Sequence, residues 1–411
     1  MHPSFPVGTA ILACALSLSA SGAPVWQTTW FAAPQLVWDS SFVLSTNIPA
    51  HLAGATVREI VRTSVGGKRV RVQLSNRYGN TPLDIGAVRI ALAGEGSATV
   101  PASDRALTFN GRTAVIVAPG ALVLSDPVEF IVGPLTRLAI SSYFPAKTPL
   151  TTFHWGAQQT AFIGTGNVTQ QARFKPAGQI KGRVFLTGVL VEAGPAARTV
   201  IALGDSITDG NGSTPDRNRR WPDALAQRLA GRGVAVINAG ISGARLLGDK
   251  MGANALARFE QDVLAQPGAK TVIVLIGIND IGWPGSPFAP GERAVTAAEL
   301  IAGYQQLITL AHVHQVRIVG ATLPPFEGAL AGTPFEGHYS AAKDQVRQAV
   351  NTWIRSADAF DAVIDMDAVL RDPARPSRML PAFDSGDHLH PGDTGYQAMA
   401  GAIALESLSA R

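Results

Sequence analysis

From Trp26 to about Glu192 hydrophobic and polar residues alternate with period two. Val70, Val72 and Leu74 interleave with Arg69, Arg71 and Gln73, which places one set on a buried face and the other in solvent. Similar short runs at Phe42–Ser45, Thr56–Ser64, Ala87–Leu92, Ala114–Val117, Val128–Val132, Leu138–Tyr143 and Val184–Val191 are separated by turn formers such as Gly66-Gly67, Gly79-Asn80 and Asn110-Gly111. Many short strands with few helical stretches predict an all-β sandwich of jelly-roll type. After Gly194-Pro195-Ala196 the period changes. Apolar runs at Val200–Leu203, Val234–Ile237, Thr271–Ile276, Val316–Gly320 and Ala362–Ile364 alternate with helix-like stretches near Trp221–Leu229, Asn254–Leu264, Ala297–His312, Ala341–Arg355 and Thr394–Leu408. Five such repeats predict an α/β fold, a parallel sheet between layers of helices, with the ligand site beyond the carboxyl ends of its strands.

The pattern divides the chain into three parts. Residues 24–194 form the β-sandwich and 195–411 the α/β domain, in keeping with about 100–200 residues per domain. Residues 1–23 read as a signal peptide, because Val7 to Leu18 is almost uninterruptedly apolar and Ala20-Ser21-Gly22-Ala23 offers small residues for cleavage. A secreted or periplasmic protein is expected. A lipoprotein is disfavoured, since Leu12 stands where a small residue should precede Cys14. Cys14 is the only cysteine, so the mature chain has neither disulfide nor thiol chemistry. Beyond residue 24 no apolar run is long enough to span a bilayer.

Composition narrows the function. Charged residues make up 16% of the chain, and the net charge of +4 comes from 34 basic and 30 acidic side chains without a basic stripe, which argues against a nucleic-acid partner. The informative chemistry lies at the strand ends. Gly204-Asp205-Ser206-Ile207 follows the first run of the α/β half, and Asp387-His388-Leu389-His390-Pro391 precedes the last helix. A serine hydroxyl attacks an acyl carbon only when an imidazole takes its proton and a carboxylate orients that imidazole. Ser206, His390 and Asp387 supply these groups, and Asp387 can fold back on His390 across three residues. His388 and Asp384 are competitors for the same roles. Most serines at such a position merely cap a helix, and Thr208 replaces the second glycine of a Gly-x-Ser-x-Gly elbow, which weakens an α/β-hydrolase reading. Asn238-Ala239-Gly240-Ile241-Ser242-Gly243 ends the second run and Gly277-Ile278-Asn279-Asp280 the third, so three strands deliver donors to one edge.

These blocks resemble the SGNH, or GDSL-type, hydrolase family over about residues 198–408. The resemblance implies a flavodoxin-like three-layer catalytic domain, Ser206 as nucleophile, Asp387 and His390 as its partners, and an oxyanion hole made by the N–H groups of Ser206 and Gly243 with the Asn279 side chain. The segments Asp209–Ser213, Arg219–Asp223, Gly277–Gly282 and Thr322–Gly328 are most similar to a bacterial branch akin to an arylesterase found alongside xylan-degrading enzymes, whose members carry a β-rich region before the catalytic domain. Asp209, Trp283, Phe326 and Glu327 are candidate substrate-binding residues. No metal or cofactor is implied.

The expected activity is a serine carboxylesterase acting on short acyl esters of polysaccharides, oligosaccharides or aryl alcohols. Its substrate would be a small-molecule or glycan ester. The same fold admits an O-acyltransferase or a lysophospholipase-type acylhydrolase, and a glycan-binding protein with a vestigial triad is a third reading. Trp26, Trp30, Trp38 and Trp155 could stack on sugars, although packing in the β-core is the commoner use of such residues.

Overall fold

The computed structural model describes residues 3–4 and 25–408; the expected signal segment 1–23, with Cys14, lies outside them apart from Pro3 and Ser4. Strands Arg198–Gly204, Val234–Gly240, Ala269–Leu275, Arg317–Ala321 and Ala362–Ile364 pair in parallel. In chain order of these five strands the sheet runs 2-1-3-4-5. The strands are apolar along most of their length because helices cover them. Helix Ala297–Val313 opens with a capping box, in which the Thr296 hydroxyl accepts from Glu299 N–H and the Glu299 carboxylate accepts from Thr296 N–H. Helix Ala341–Ser356 is capped by Ser340, whose hydroxyl accepts from Lys343 N–H. In this topology the chain reverses direction beside the first strand, and the crevice at the carboxyl ends of strands one and three is the switch point where ligands bind.

Before Ala193 the pairings are antiparallel. One sheet joins Val25–Phe31, Leu186–Ala193, Gly67–Ser75, Leu122–Leu124 and Val128–Val132. The other joins Gly178–Ile180, Ala161–Thr165, Ala55–Arg62, Arg137–Phe144, Ala87–Leu92 and Arg105–Leu107. Val70, Val72 and Leu74 of the first sheet share one apolar cluster with Val57, Val61, Ile90 and Ile140 of the second.

Four stretches differ from the sequence expectation. Phe42–Ser45 forms no strand; its turns and bends instead place Phe42 and Leu44 against Met251, Trp283 and Phe288. The run Val184–Val191 is broken at Phe185, whose φ of 61° interrupts the ladder between Gly182–Val184 and Leu186–Ala193. Helix Ala255–Phe259 continues as a π-helical turn over Glu260–Leu264, and the last helix ends at Ala402, with a separate 3-10 turn over Leu405–Leu408.

The two halves pack closely. A bulge between Thr28 and Trp30 in strand Val25–Phe31 turns Trp30 into the β-core while Phe31 enters the core of the parallel sheet. Across the same seam Ser64 Oγ accepts from Val236 N–H at 2.7 Å, and Arg62 donates to Asp223 O at 3.0 Å.

Candidate active site

Strand Arg198–Gly204 lies between two neighbours, and Gly204 ends it so tightly that a Cβ there would collide with the Leu275 carbonyl and Thr208 Oγ1. Asp205 then caps the four-residue helix Ser206–Asp209 by accepting from Ile207 N–H at 3.0 Å. Burial raises the Asp205 carboxyl to about 7 against that hydrogen bond. Arg258 fixes the neighbouring strand ends, donating to Gly204 O at 2.9 Å and Ala239 O at 2.6 Å while paired with Asp262 at 2.9 Å.

The chain returns to Ser206 from the far end of the sequence. His390 Nε2 lies 2.7 Å from Ser206 Oγ, and His390 Nδ1 lies 2.6 Å from Asp387 Oδ2. Asp387 Oδ1 also accepts from the N–H groups of Leu389 and His390 at 2.9 and 2.8 Å. Burial pushes the Asp387 carboxyl up, but its hydrogen bond to the His390 ring and the two backbone donors outweigh burial and hold it well below the usual carboxylate range. Asp384 and His388 form a second pair at 2.5 Å, with Asp384 also accepting from His388 N–H. Ser206 is bonded to His390 and not to His388.

Ser206, Gly243 and Asn279 line one cavity with His390. Gly243 has a φ of 75°, a left-handed conformation that favours glycine, and a Cβ there would collide with Met251 Sδ. The Asn279 amide is held from both sides, donating to Ala244 O at 3.0 Å and accepting from Trp283 Nε1–H at 3.1 Å, which leaves one N–H free for a ligand. Asp280 accepts from Leu246 and Leu247 N–H at 2.7 and 2.9 Å and so anchors the loop that carries Gly243. Burial raises the Asp280 carboxyl to about 6.

The cavity, about 150 Å3 in volume, is mostly apolar. Trp283, Phe288 and Phe335 stack along one wall with ring centroids 5.0 and 5.1 Å apart, and Leu44 and Trp155 of the β-rich half close another. His338 also lines the cavity, 1% exposed, with neither ring nitrogen hydrogen-bonded. Burial, with the nearby Lys343 and His390, lowers it to about 3, so the ring is neutral.

Of the substrate-binding candidates, Trp283 lines the cavity and three others do not. Asp209 is 1% exposed and spends its carboxylate on His154 and Ser242. Phe326 is buried, edge-on to His338 and Tyr339. Glu327 is held by Ser377 and Arg375 away from the cavity. Sequence reasoning missed Leu44, Met251, Phe288, Phe335, His338 and His154, none of which stands in a recognisable block.

Residues 202–398 match the GDSL-like Lipase/Acylhydrolase family. The chain carries a hydrolase domain of the GDSL, or SGNH, family. This GDSL domain is a carboxylic-ester hydrolase. No curated protein matches the sequence significantly. Among solved structures, an aryl esterase from M. smegmatis is 19% identical, covering 51% of this chain and 98% of its own, with a TM-score of 0.40. A carbohydrate acetylesterase from Sinorhizobium meliloti is 19% identical over 51% of this chain and 97% of its own, TM-score 0.39. A GDSL-like lipase from Bacteroides thetaiotaomicron is 19% identical over 51% and 87%, TM-score 0.38. Among the described residues no cluster of three or more His, Cys, Asp or Glu could hold a metal, and no helix is long and apolar enough to cross a membrane.

Proposed function

We propose that the chain is an exported serine esterase that removes short acyl groups from polyhydroxylated alcohols such as acetylated saccharides, with Ser206, His390 and Asp387 as its catalytic residues. The signal segment is 1–23, and the β-sandwich and hydrolase domains meet at 194/195. The observation that carries this reading is the unbroken line from Ser206 Oγ through His390 to Asp387. Ser206 Oγ bonds to the ester carbonyl carbon as His390 Nε2 takes its proton. The carbonyl oxygen becomes an oxyanion held by the N–H groups of Ser206 and Gly243 and the free N–H of Asn279. On collapse the bond to the leaving alcohol breaks, and His390 returns its proton to that oxygen. Water then repeats the sequence on the acyl-enzyme, releasing the acid and restoring Ser206.

Two features support the substrate class. The apolar cavity over Ser206 is comparable to one that holds roughly a single benzene, which suits an acetyl or butyryl group and not a fatty chain. A wider cleft of about 550 Å3 adjoins it through Trp155 and Asn211 and is lined by the uncharged amides of Asn47, Gln158 and Gln179 and the amine of Lys181, groups that suit sugar hydroxyls. Hydrolysis of p-nitrophenyl esters from acetate to palmitate, run beside acetylated xylo-oligosaccharides, tests the reading. The highest kcat/KM is expected on acetate or butyrate together with release of acetate from the oligosaccharide; a maximum at palmitate would overturn the short-acyl assignment.

A further inference from the structure

His154 belongs to strand Thr152–Trp155 of the β-rich half, yet it reaches into the catalytic half and is 5% exposed. Its Nδ1 lies 2.9 Å from Ala33 O and its Nε2 lies 3.0 Å from Asp209 Oδ1. A backbone carbonyl and a carboxylate both only accept. A neutral imidazole has one N–H, so it would turn a lone pair toward one of these oxygens; the ring that satisfies both carries two protons and a positive charge.

Asp209 faces three donors. Besides His154 it accepts, on Oδ2, from Ser242 N–H at 3.2 Å and from Ser242 Oγ–H at 2.6 Å. Asp209 is the last residue of the helix that Ser206 begins, and Ser242 directly precedes Gly243. One carboxylate therefore connects the nucleophile's helix to the loop that presents the Gly243 N–H. Its counter-charge comes from the other half of the molecule.

We infer that the β-rich half is a working part of the catalytic centre: the His154 imidazolium, through Asp209, holds Ser242 and so fixes the Gly243 N–H in register with Ser206. The inference rests on the esterase reading of Ser206. His154 touches no substrate and acts as a positioning residue. The alternative is that the pair only fastens the two halves together, which would change stability and leave the chemistry of each folded molecule alone.

The test uses the full chain with His154→Gln, which keeps one N–H for Asp209 but loses the charge, and Ser242→Ala, a small change at the other end of the relay. Active sites are titrated with a fluorophosphonate, p-nitrophenyl acetate hydrolysis is expressed per titrated serine, and inhibition by a trifluoromethyl ketone reports on the oxyanion hole. Each variant is expected to lower kcat per titrated serine about tenfold, a fraction of the roughly 10²–10³ that loss of a whole donor costs. KM should stay within about twofold, and the ketone's Ki should rise by the same factor as kcat falls. The double variant should lose no more than the worse single variant, because both cut one chain of contacts. Unchanged kcat per titrated serine with a lowered thermal midpoint would overturn the relay, as would losses that multiply in the double variant. A wild type that the fluorophosphonate fails to label would overturn the esterase reading itself, and the relay with it.

Discussion

Asp387 holds His390 by both its ring and its backbone, accepting from Nδ1–H at 2.6 Å and from the His390 N–H at 2.8 Å. The double contact fixes the ring's direction as well as its tautomer, so that Nε2 meets Ser206 with a lone pair. In Asp387→Asn the amide can donate to Nδ1, which leaves the proton on Nε2 where a base is needed. The expected loss is about 10⁴ in kcat, read from p-nitrophenyl acetate at saturation. A loss of less than tenfold would contradict the assigned role.

Asn279 is held between Ala244 O and Trp283 Nε1–H, so its second N–H is aimed without further reorganisation. Asn279→Ala is expected to lower kcat by about 10²–10³ with KM nearly unchanged. Asn279→Asp, which replaces the donor by an acceptor, should lose at least as much. Steady-state kinetics on one short ester checks both.

The acyl cavity is closed by Leu44 from one side and by Phe335 at the end of the aromatic stack. Leu44→Ala and Phe335→Ala open it. Each variant makes room for about one further methylene, worth about 1–3 kcal/mol in an apolar pocket, so the ratio of kcat/KM for octanoate over butyrate is expected to rise at least about tenfold in each variant. An unchanged ratio would place the acyl group elsewhere.

His338 couples the same cavity to pH. Its folded value of about 3 lies below the 6.5 of an exposed histidine. The unfolded chain therefore binds the extra proton first, and stability that is complete above about 6.5 is lost as pH falls toward 3. His338→Phe, which keeps a ring beside Phe326 and removes the proton site, is expected to flatten that part of the curve in urea unfolding measured from pH 7 to 4. A wild type equally stable at pH 7 and pH 4 would refute the assignment.

Much of this molecule was legible in the sequence because the relevant signals are local. Period-two alternation identified the face of Val70, Val72 and Leu74, and the apolar runs at Val200, Val234, Thr271, Val316 and Ala362 marked the parallel strands. Other features depend on contacts between distant residues. Phe42 and Leu44 look like a strand, but no neighbouring strand pairs with them and their side chains find the cavity wall instead. Asp209 opens the Asp209–Ser213 segment and so counts among the substrate-binding candidates; only the approach of His154, 55 residues away in sequence, shows where its carboxylate is used. His154 itself, a lone histidine in a strand, carries no sequence signal.

The nucleophile is the centre of the account, and labelling tests it most directly. The full chain and its Ser206→Ala variant are treated with a fluorophosphonate, and the adduct is located by peptide mass spectrometry. One adduct per wild-type chain on the peptide containing Ser206, none on the variant, and loss of p-nitrophenyl acetate hydrolysis in proportion to labelling are expected. Hydrolysis that persists in Ser206→Ala, or an adduct on another residue, would contradict it.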